Sequence, residues 1–157
     1  MSENTPTYTQ SGWKLNELFT SFSDPAINQT YQDLEARVEK FVSQREELKP
    51  EISSEKFLQI VRELEEMNKL AYRLYGFASL SFSANTQDQT AQINIARFQQ
   101  FEAEMENRTM FFGLWWKALD DENAARLLDA SGDYRYWLEQ MRHFKPYTLS
   151  EPEEKVI

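Results

Sequence analysis

Three stretches of the chain repeat their apolar residues at helical spacing. The first opens at Asp24-Pro25, an N-cap acceptor followed by proline where the missing N–H does no harm. Its apolar positions follow one another at intervals of three, four or seven residues, and they are Ile27, Tyr31, Leu34, Val38, Phe41 and Leu48. This spacing predicts an amphipathic helix that ends at Pro50.

The second stretch carries the longest unbroken stripe of apolar residues. Ser53 or Ser54 is the predicted N-cap. The stripe alternates intervals of three and four, through Phe57, Ile60, Leu64, Met67, Ala71, Leu74 and Ala78. Residues 78–83 also alternate with period two, which is typical of a short strand, but length and context favour the end of the helix.

A third helix is predicted to begin between Thr86 and Asp88 and to continue to Leu119. Its apolar face is Ala91, Ile95, Phe98, Phe101, Met105, Phe112, Trp115 and Leu119. A helix of about 30 residues is about 45 Å long. A compact globule of this chain length has a radius of gyration of only about 15 Å, so we expect an elongated body.

Two shorter helices are predicted near the C-terminus. Asp120, Asp121 and Glu122 place three acids at the start of a fourth helix, with Leu127 and Leu128 on its buried side and Gly132 as its C-terminal cap. Asp133 begins the next, which bears Tyr134, Trp137, Leu138, Met141 and Phe144 and stops at Lys145-Pro146. The predicted fold is therefore all-α, an elongated helical bundle of three long helices plus short C-terminal helices.

The same pattern predicts how the chain is organised. Residues 1–23 are interpreted as an extended N-terminal arm anchored by Trp13, Leu18 and Phe19, and residues 24–146 as one helical domain. In residues 147–157, Ser150-Glu151-Pro152-Glu153 forms a capping box that opens a further helix. We expect this segment to lead into a domain that the chain lacks, so that the chain is a piece of a longer protein. The alternative is a short docked tail.

Composition excludes several classes of function. Lys and Arg total 17 against 26 Asp and Glu, and the net charge of -9 is the wrong sign for binding nucleic acid or an anionic membrane. There is no cysteine, and no apolar run is long enough to span a membrane. These features predict a soluble, cytoplasmic protein without nucleic-acid or membrane partners.

No catalytic motif emerges from the sequence. The four glycines are too far apart for a phosphate-binding loop. His143 is the only histidine, so neither H-E-x-x-H nor a pair of E-x-x-H motifs can be built, and it is interpreted as a helix-terminal residue. Carboxylates could be drawn as acid–base pairs, but with 26 acids such pairs are unavoidable, and they are interpreted as solvated faces and helix starts: Glu63, Glu65, Glu66, Asp120, Asp121 and Glu122. We predict no catalytic, cofactor-binding or metal-binding residue in this chain.

One aromatic cluster invites a second interpretation. Phe111, Phe112, Trp115 and Trp116 cover more than one face of a helix. Core packing is expected for at least two of them, and the remainder form the candidate surface for a partner or a peptide.

Three segments carry a resemblance to a known family. They are Gly12–Phe19, Phe77–Asp88 and Lys145–Lys155, and in this order they resemble the N-terminal region of oligoendopeptidase F-type zinc peptidases, of the thimet oligopeptidase group. The resemblance implies a helical, cytoplasmic zinc endopeptidase that cuts short peptides in a deep cleft. In that family H-E-x-x-H and a further glutamate ligand lie far downstream, so zinc is expected in the catalytic domain of the parent.

The leading hypothesis is thus an inactive N-terminal accessory domain. Its expected partners are its own C-terminal catalytic domain and, in the parent, the oligopeptide substrate, and the isolated piece is expected to self-associate through the surface left uncovered. The alternative is a free-standing acidic helical module that binds a peptide or helix partner. A small enzyme with its own carboxylate site is a third hypothesis.

Overall fold

A computed structural model of the protein describes residues 14–156, and every regular element in that range is helical. The predicted all-α bundle of three long helices and several short ones is confirmed. The α-helices are α1 (Pro25–Ser43), α2 (Ser54–Ala84), α3 (Gln89–Thr109), α4 (Phe111–Ala118), α5 (Asp121–Asp129), α6 (Arg135–His143) and α7 (Glu151–Glu154). Three short 3-10 helices lie between them, at Arg45–Glu47, Gly132–Tyr134 and Lys145–Tyr147.

The three long helices begin where their polar caps predict. The carboxylate of Asp24 accepts from the N–H of Ala26 at 2.9 Å, and the hydroxyl of Ser53 accepts from that of Lys56 at 3.2 Å. Asp88 accepts from two N–H groups of α3. α2 has 31 residues, which makes it about 46 Å long. It continues to Ala84, so the period-two stretch 78–83 is the end of a helix, as predicted.

Two predicted helix ends need correction. α1 stops at Ser43, and the 3-10 helix Arg45–Glu47 occupies the interval before Pro50. The predicted third helix is divided at Met110 into α3 and α4. The hydroxyl of Thr109 donates to the carbonyl of Met105 at 2.8 Å, a back-bond that often bends a helix. The spacing of the apolar residues cannot reveal such a break, because it continues unchanged from α3 into α4.

The short helices follow the predicted order with one change. α5 starts at the Asp120 cap, which accepts from the N–H of Asn123 at 2.9 Å. Gly132 is not the C-terminal cap of α5, because that helix ends at Asp129 with Ala130 as its cap. Gly132 instead has a φ of 53° and opens the 3-10 helix that precedes α6. A left-handed residue of this kind favours glycine.

One continuous core joins the long helices to the short ones. The largest side chains in it, each less than 2 % exposed, are Leu34, Val38, Phe41, Phe57, Ile60, Val61, Met67, Phe98, Phe112, Trp116, Leu127 and Leu138. The ring of Phe57 lies 6.2 Å from Phe112 and 5.2 Å from Trp116, measured between centroids. Since each such side chain contributes about 1.5–3 kcal/mol on burial, this contact ties α4 firmly to α2.

The chain before α1 packs on α2. Phe19 is buried and meets the ring of Phe77 edge-on, with the centroids 5.4 Å apart. The guanidinium of Arg73 donates to the carbonyl of Leu18 at 2.7 Å and lies over the Phe19 ring. Leu18 and Phe19 therefore anchor this segment. Trp13, the third predicted anchor, lies outside the described residues. Among the helices described, none has the length and apolar character that crossing a membrane requires.

Candidate functional site

A groove of about 500 Å³ lies between α4 and the chain that follows α6. We call it the C-terminal groove. It is lined by Arg45, Leu48, Phe111, Leu114, Trp115, Lys117, Ala118, Lys145, Thr148, Leu149, Ser150 and Glu151. The groove thus combines apolar side chains with cations, although the chain as a whole is acidic.

The wall formed by residues 145–155 is built from local hydrogen bonds. The hydroxyl of Thr148 donates to the carbonyl of Phe144 at 2.9 Å. The N–H of Ser150 donates to the carboxylate of Glu153 at 3.0 Å, which is the reciprocal bond of the predicted capping box. Neither Lys145–Tyr147 nor α7 contains a buried residue. This wall therefore has its own shape but little apolar contact to hold it in place.

The shortest ion pair between this wall and the bundle joins Arg45 to Glu151. Both guanidinium nitrogens at the end of Arg45 donate to the carboxylate of Glu151, at 3.2 and 2.5 Å, and Lys155 reaches the same carboxylate at 2.8 Å. Arg45 also lies over the ring of Phe111, 5.2 Å from its centroid. The hydrogen bonds from Arg45, and then from Lys155, lower the pKa of Glu151 to about 2.

The two lysines of the groove are held less tightly. The ammonium of Lys145 donates to the carbonyl of Leu119 at 3.3 Å and lies 3.7 Å from Asp121, whose closer partner is Arg142 at 2.6 Å. Lys117 is half-buried and forms no ion pair or hydrogen bond from its side chain with any residue of 14–156. The groove therefore presents positive charge that the described part of the chain does not neutralise.

The structure separates the four aromatic residues of the candidate surface. Phe112 and Trp116 are 1 % and 0 % exposed and belong to the core, where the indole N–H of Trp116 donates to the carbonyl of Leu138 at 2.9 Å. Phe111 is also buried, but it is one of the residues that line the groove. Trp115 is half-buried and lines it as well. Of the four, only Phe111 and Trp115 line the groove, and only Trp115 is partly exposed.

Sequence reasoning missed the cations of this site. Arg45 and Glu151 are 106 positions apart, and no local pattern pairs them. The capping box at Ser150 was the one available signal, since it indicates an ordered segment that must lie against something. Lys117 follows the two tryptophans directly, but its lack of a partner becomes visible only in the folded chain.

The carboxylates considered as acid–base pairs have structural partners instead. Glu63 accepts from Arg37 at 2.6 Å and from Lys40 at 2.7 Å. Burial raises the pKa of Glu63, but the hydrogen bonds from Lys40 and Arg37 outweigh it, and the pKa lies below its usual value. Glu65 accepts from the hydroxyl of Tyr134 at 2.7 Å.

The remaining carboxylates of that set occupy helix starts or exposed faces. Glu66 pairs with Lys69 on one face of α2, and Asp120 caps α5. Asp121 and Glu122 lie in the first turn of α5, and Asp121 binds Arg142. His143 is the last residue of α6, as predicted. Within residues 14–156, no group of three or more His, Cys, Asp or Glu side chains is arranged to hold a metal ion.

Two further grooves lie away from the C-terminus. The α1–α3 groove, of about 530 Å³, is bordered by Glu35, Glu39, Glu104 and one cation, Arg97. The α2–α6 groove, of about 300 Å³, lies between α2 and the side chains of Tyr134 and Trp137 at the start of α6. Its one acid and one base are already engaged, Glu65 by Tyr134 and Lys69 by Glu66.

A comparison with known families singles out the C-terminal part of the chain. The family model described as Oligopeptidase F matches residues 115–157. Eight of the twelve residues that line the C-terminal groove fall within this match. No curated protein and no solved structure matches the chain. The sequence indicates a resemblance to the N-terminal region of oligoendopeptidase F-type peptidases. The match to the N-terminal domain of that peptidase family confirms this resemblance over residues 115–157.

Proposed function

We propose that this chain is the N-terminal accessory domain of an oligoendopeptidase F-like zinc metalloendopeptidase that hydrolyses short peptides. In this proposal the helical bundle forms part of the wall of the substrate cleft. The observation that carries the proposal is the family match over residues 115–157, a segment that contributes most of the lining of the C-terminal groove. A free-standing interaction module accounts less well for a match to a peptidase family.

The proposal assigns the chemistry to another part of the parent protein. Zinc and the general base belong to its catalytic domain, and the present chain supplies shape and surface but no catalytic residue. A cytoplasmic location is part of the same proposal, since it follows from the family that the chain resembles.

The expected partner surface lies at the C-terminal side of the bundle. Phe144, Tyr147 and Val156, which do not line the C-terminal groove, are 64 %, 80 % and 85 % exposed. Apolar residues grouped in this way are typical of a surface that another domain covers. We propose that the catalytic domain covers them in the parent, and that a second copy of the chain covers them in the isolated piece.

A peptidase assay tests the proposal. The 157-residue chain and the full product of the same reading frame would be given internally quenched peptide substrates, with zinc and with a chelator. We expect zinc-dependent cleavage by the full product and none by the 157 residues alone. The matched control replaces the glutamate of the downstream H-E-x-x-H by glutamine, which should abolish cleavage. Zinc-dependent cleavage by the short chain, or a reading frame without that motif, would overturn the proposal.

Light scattering tests the covered surface separately. The isolated chain should show a mass that rises with concentration, and Tyr147→Ser should reduce this rise because Tyr147 is the most exposed aromatic there. Ile93→Ser, which removes an exposed apolar residue of α3, is the control. A monomer at every concentration would contradict self-association.

A further inference from the structure

The C-terminal groove differs from the other two grooves in its charge. Its border carries three cations, Arg45, Lys117 and Lys145, against the single carboxylate of Glu151. The α1–α3 groove has the opposite sign, with three glutamates and one arginine, and the α2–α6 groove is balanced. Although the whole chain has a net charge of -9, the charge of this groove is of the sign that attracts an anion.

The three cations differ in the hydrogen bonds and ion pairs that they already form. Arg45 is taken up by its bidentate pair with Glu151. Lys117 has no side-chain hydrogen bond or ion pair within the described residues, and Lys145 has one long hydrogen bond and a distant carboxylate. A negatively charged ligand group between the two lysines would therefore gain charge-assisted hydrogen bonds and compete only with the 3.7 Å contact between Lys145 and Asp121, a carboxylate that keeps Arg142 as its closer partner.

The other walls of the groove are apolar. Leu114 and Trp115 are half-buried on α4, and Leu149 is 47 % exposed on the opposite wall. A bare inorganic anion would leave these side chains in contact with water. The volume of about 500 Å³ lies within the range of about 300–1,000 Å³ that is usual for small-ligand pockets, so the groove suits a chain end better than a folded domain.

We propose that the C-terminal groove binds the end of a short peptide through its free C-terminal carboxylate. The carboxylate lies between the ammonium groups of Lys117 and Lys145. The last side chain of the peptide, which is apolar, lies between Trp115 and Leu149. This inference does not depend on the parent protein being a peptidase, because it concerns binding by the chain itself.

Calorimetry on the 157-residue chain tests the site directly. The probe is the N-acetylated tetrapeptide Ala-Ala-Ala-Leu as its free acid, and the comparison ligand is the same peptide with a C-terminal amide. We expect the acid to bind about tenfold more tightly than the amide, as the loss of a hydrogen-bonded charge predicts. Equal affinities, or no binding of the acid at millimolar concentration, would overturn the proposal.

Variants locate the effect in the groove. Lys117→Met keeps the apolar stem and removes the charge, so it should weaken binding of the acid about tenfold and leave the amide unchanged. Lys69→Met removes the same charge from the α2–α6 groove and should leave both affinities unchanged. If the two variants weakened binding equally, the attraction would be a general charge effect and the proposal would be wrong.

A third ligand tests whether a peptide is required. The free acid 4-methylpentanoate carries the same carboxylate and apolar group without a peptide chain. We expect it to bind at least about tenfold more weakly than the tetrapeptide, because it lacks the peptide contacts with the walls. Affinity equal to that of the tetrapeptide would overturn the assignment to peptides. Failure in any of these arms leaves the outcome of the peptidase assay unaffected, so the two proposals can fail separately.

Discussion

Two carboxylates of this chain are bound in the same way in very different places. Glu63 joins Arg37 and Lys40 between α2 and α1, and Glu151 joins Arg45 and Lys155 at the C-terminal groove. The side chain of Glu63 is 9 % exposed, beside helices that share a continuous core. That of Glu151 is 23 % exposed, on a helix that buries no residue.

The difference shows what each ion pair contributes. α1 and α2 are held together by apolar side chains whether or not Glu63 is ionised, because Leu34 and Val38 of α1 and Phe57 of α2 are fully buried in the shared core. The segment around α7 has no comparable apolar contact, so its position depends on Arg45 and Glu151. The stability of the bundle should therefore depend mainly on buried side-chain volume, and the position of the groove wall mainly on the charges of its ion pair.

The largest effect is expected where the apolar core is broken. Trp116→Ala removes a side chain that is 0 % exposed and a hydrogen bond to Leu138, and should lower the free energy of unfolding by about 3–5 kcal/mol. Trp137→Ala is the matched control, since Trp137 is 39 % exposed, and should cost much less. Urea denaturation followed by circular dichroism measures both. Equal costs would contradict the view that α4 is part of the core.

An intermediate effect is expected at the ion pair between the long helices. Glu63→Gln keeps the shape of the side chain and removes its charge. Arg37 and Lys40 are 37 % and 61 % exposed and remain hydrated, so the cost should be about 1–2 kcal/mol, below that of a fully buried pair. The same denaturation experiment on Glu151→Gln should show little change in global stability. A larger loss of unfolding free energy in Glu151→Gln than in Glu63→Gln would contradict the proposed difference between the two ion pairs.

Much of the bundle could be predicted from the sequence, because its helices follow local rules. The caps at Asp24 and Ser53 and the helix starts near Asp88 and Asp120 were predicted, and each of these four residues caps its helix by a hydrogen bond within one turn. The break at Met110 was missed because the apolar spacing continues through it. The cationic groove was missed because it brings together Arg45, α4 and residues 145–151, which only the folded chain places side by side.

The smallest and most local effect is expected at Glu151. Its pKa is lowered from 4.5 to about 2, so the ionised carboxylate favours the docked segment. A carboxylate with a lowered pKa contributes stability that is fully present above its ordinary pKa and is lost as the pH falls through the lowered value. We therefore expect residues 148–155 to loosen between about pH 4.5 and about pH 2. Amide heteronuclear NOEs of these residues, recorded across that range, measure the loosening.

The charge variant Arg45→Met separates this pair from the general effect of acid. Without the guanidinium, the pKa of Glu151, followed through the NMR shift of its carboxyl carbon, should rise toward 4.5, and the segment should already be mobile at neutral pH. Lys155→Met is the control and should raise the pKa less, because the hydrogen bond from Arg45 is the larger cause. Global stability should change by no more than about 1 kcal/mol in either variant, as for other exposed ion pairs. A pKa of Glu151 that stayed near 2 in Arg45→Met would show that something other than this pair holds the wall of the groove.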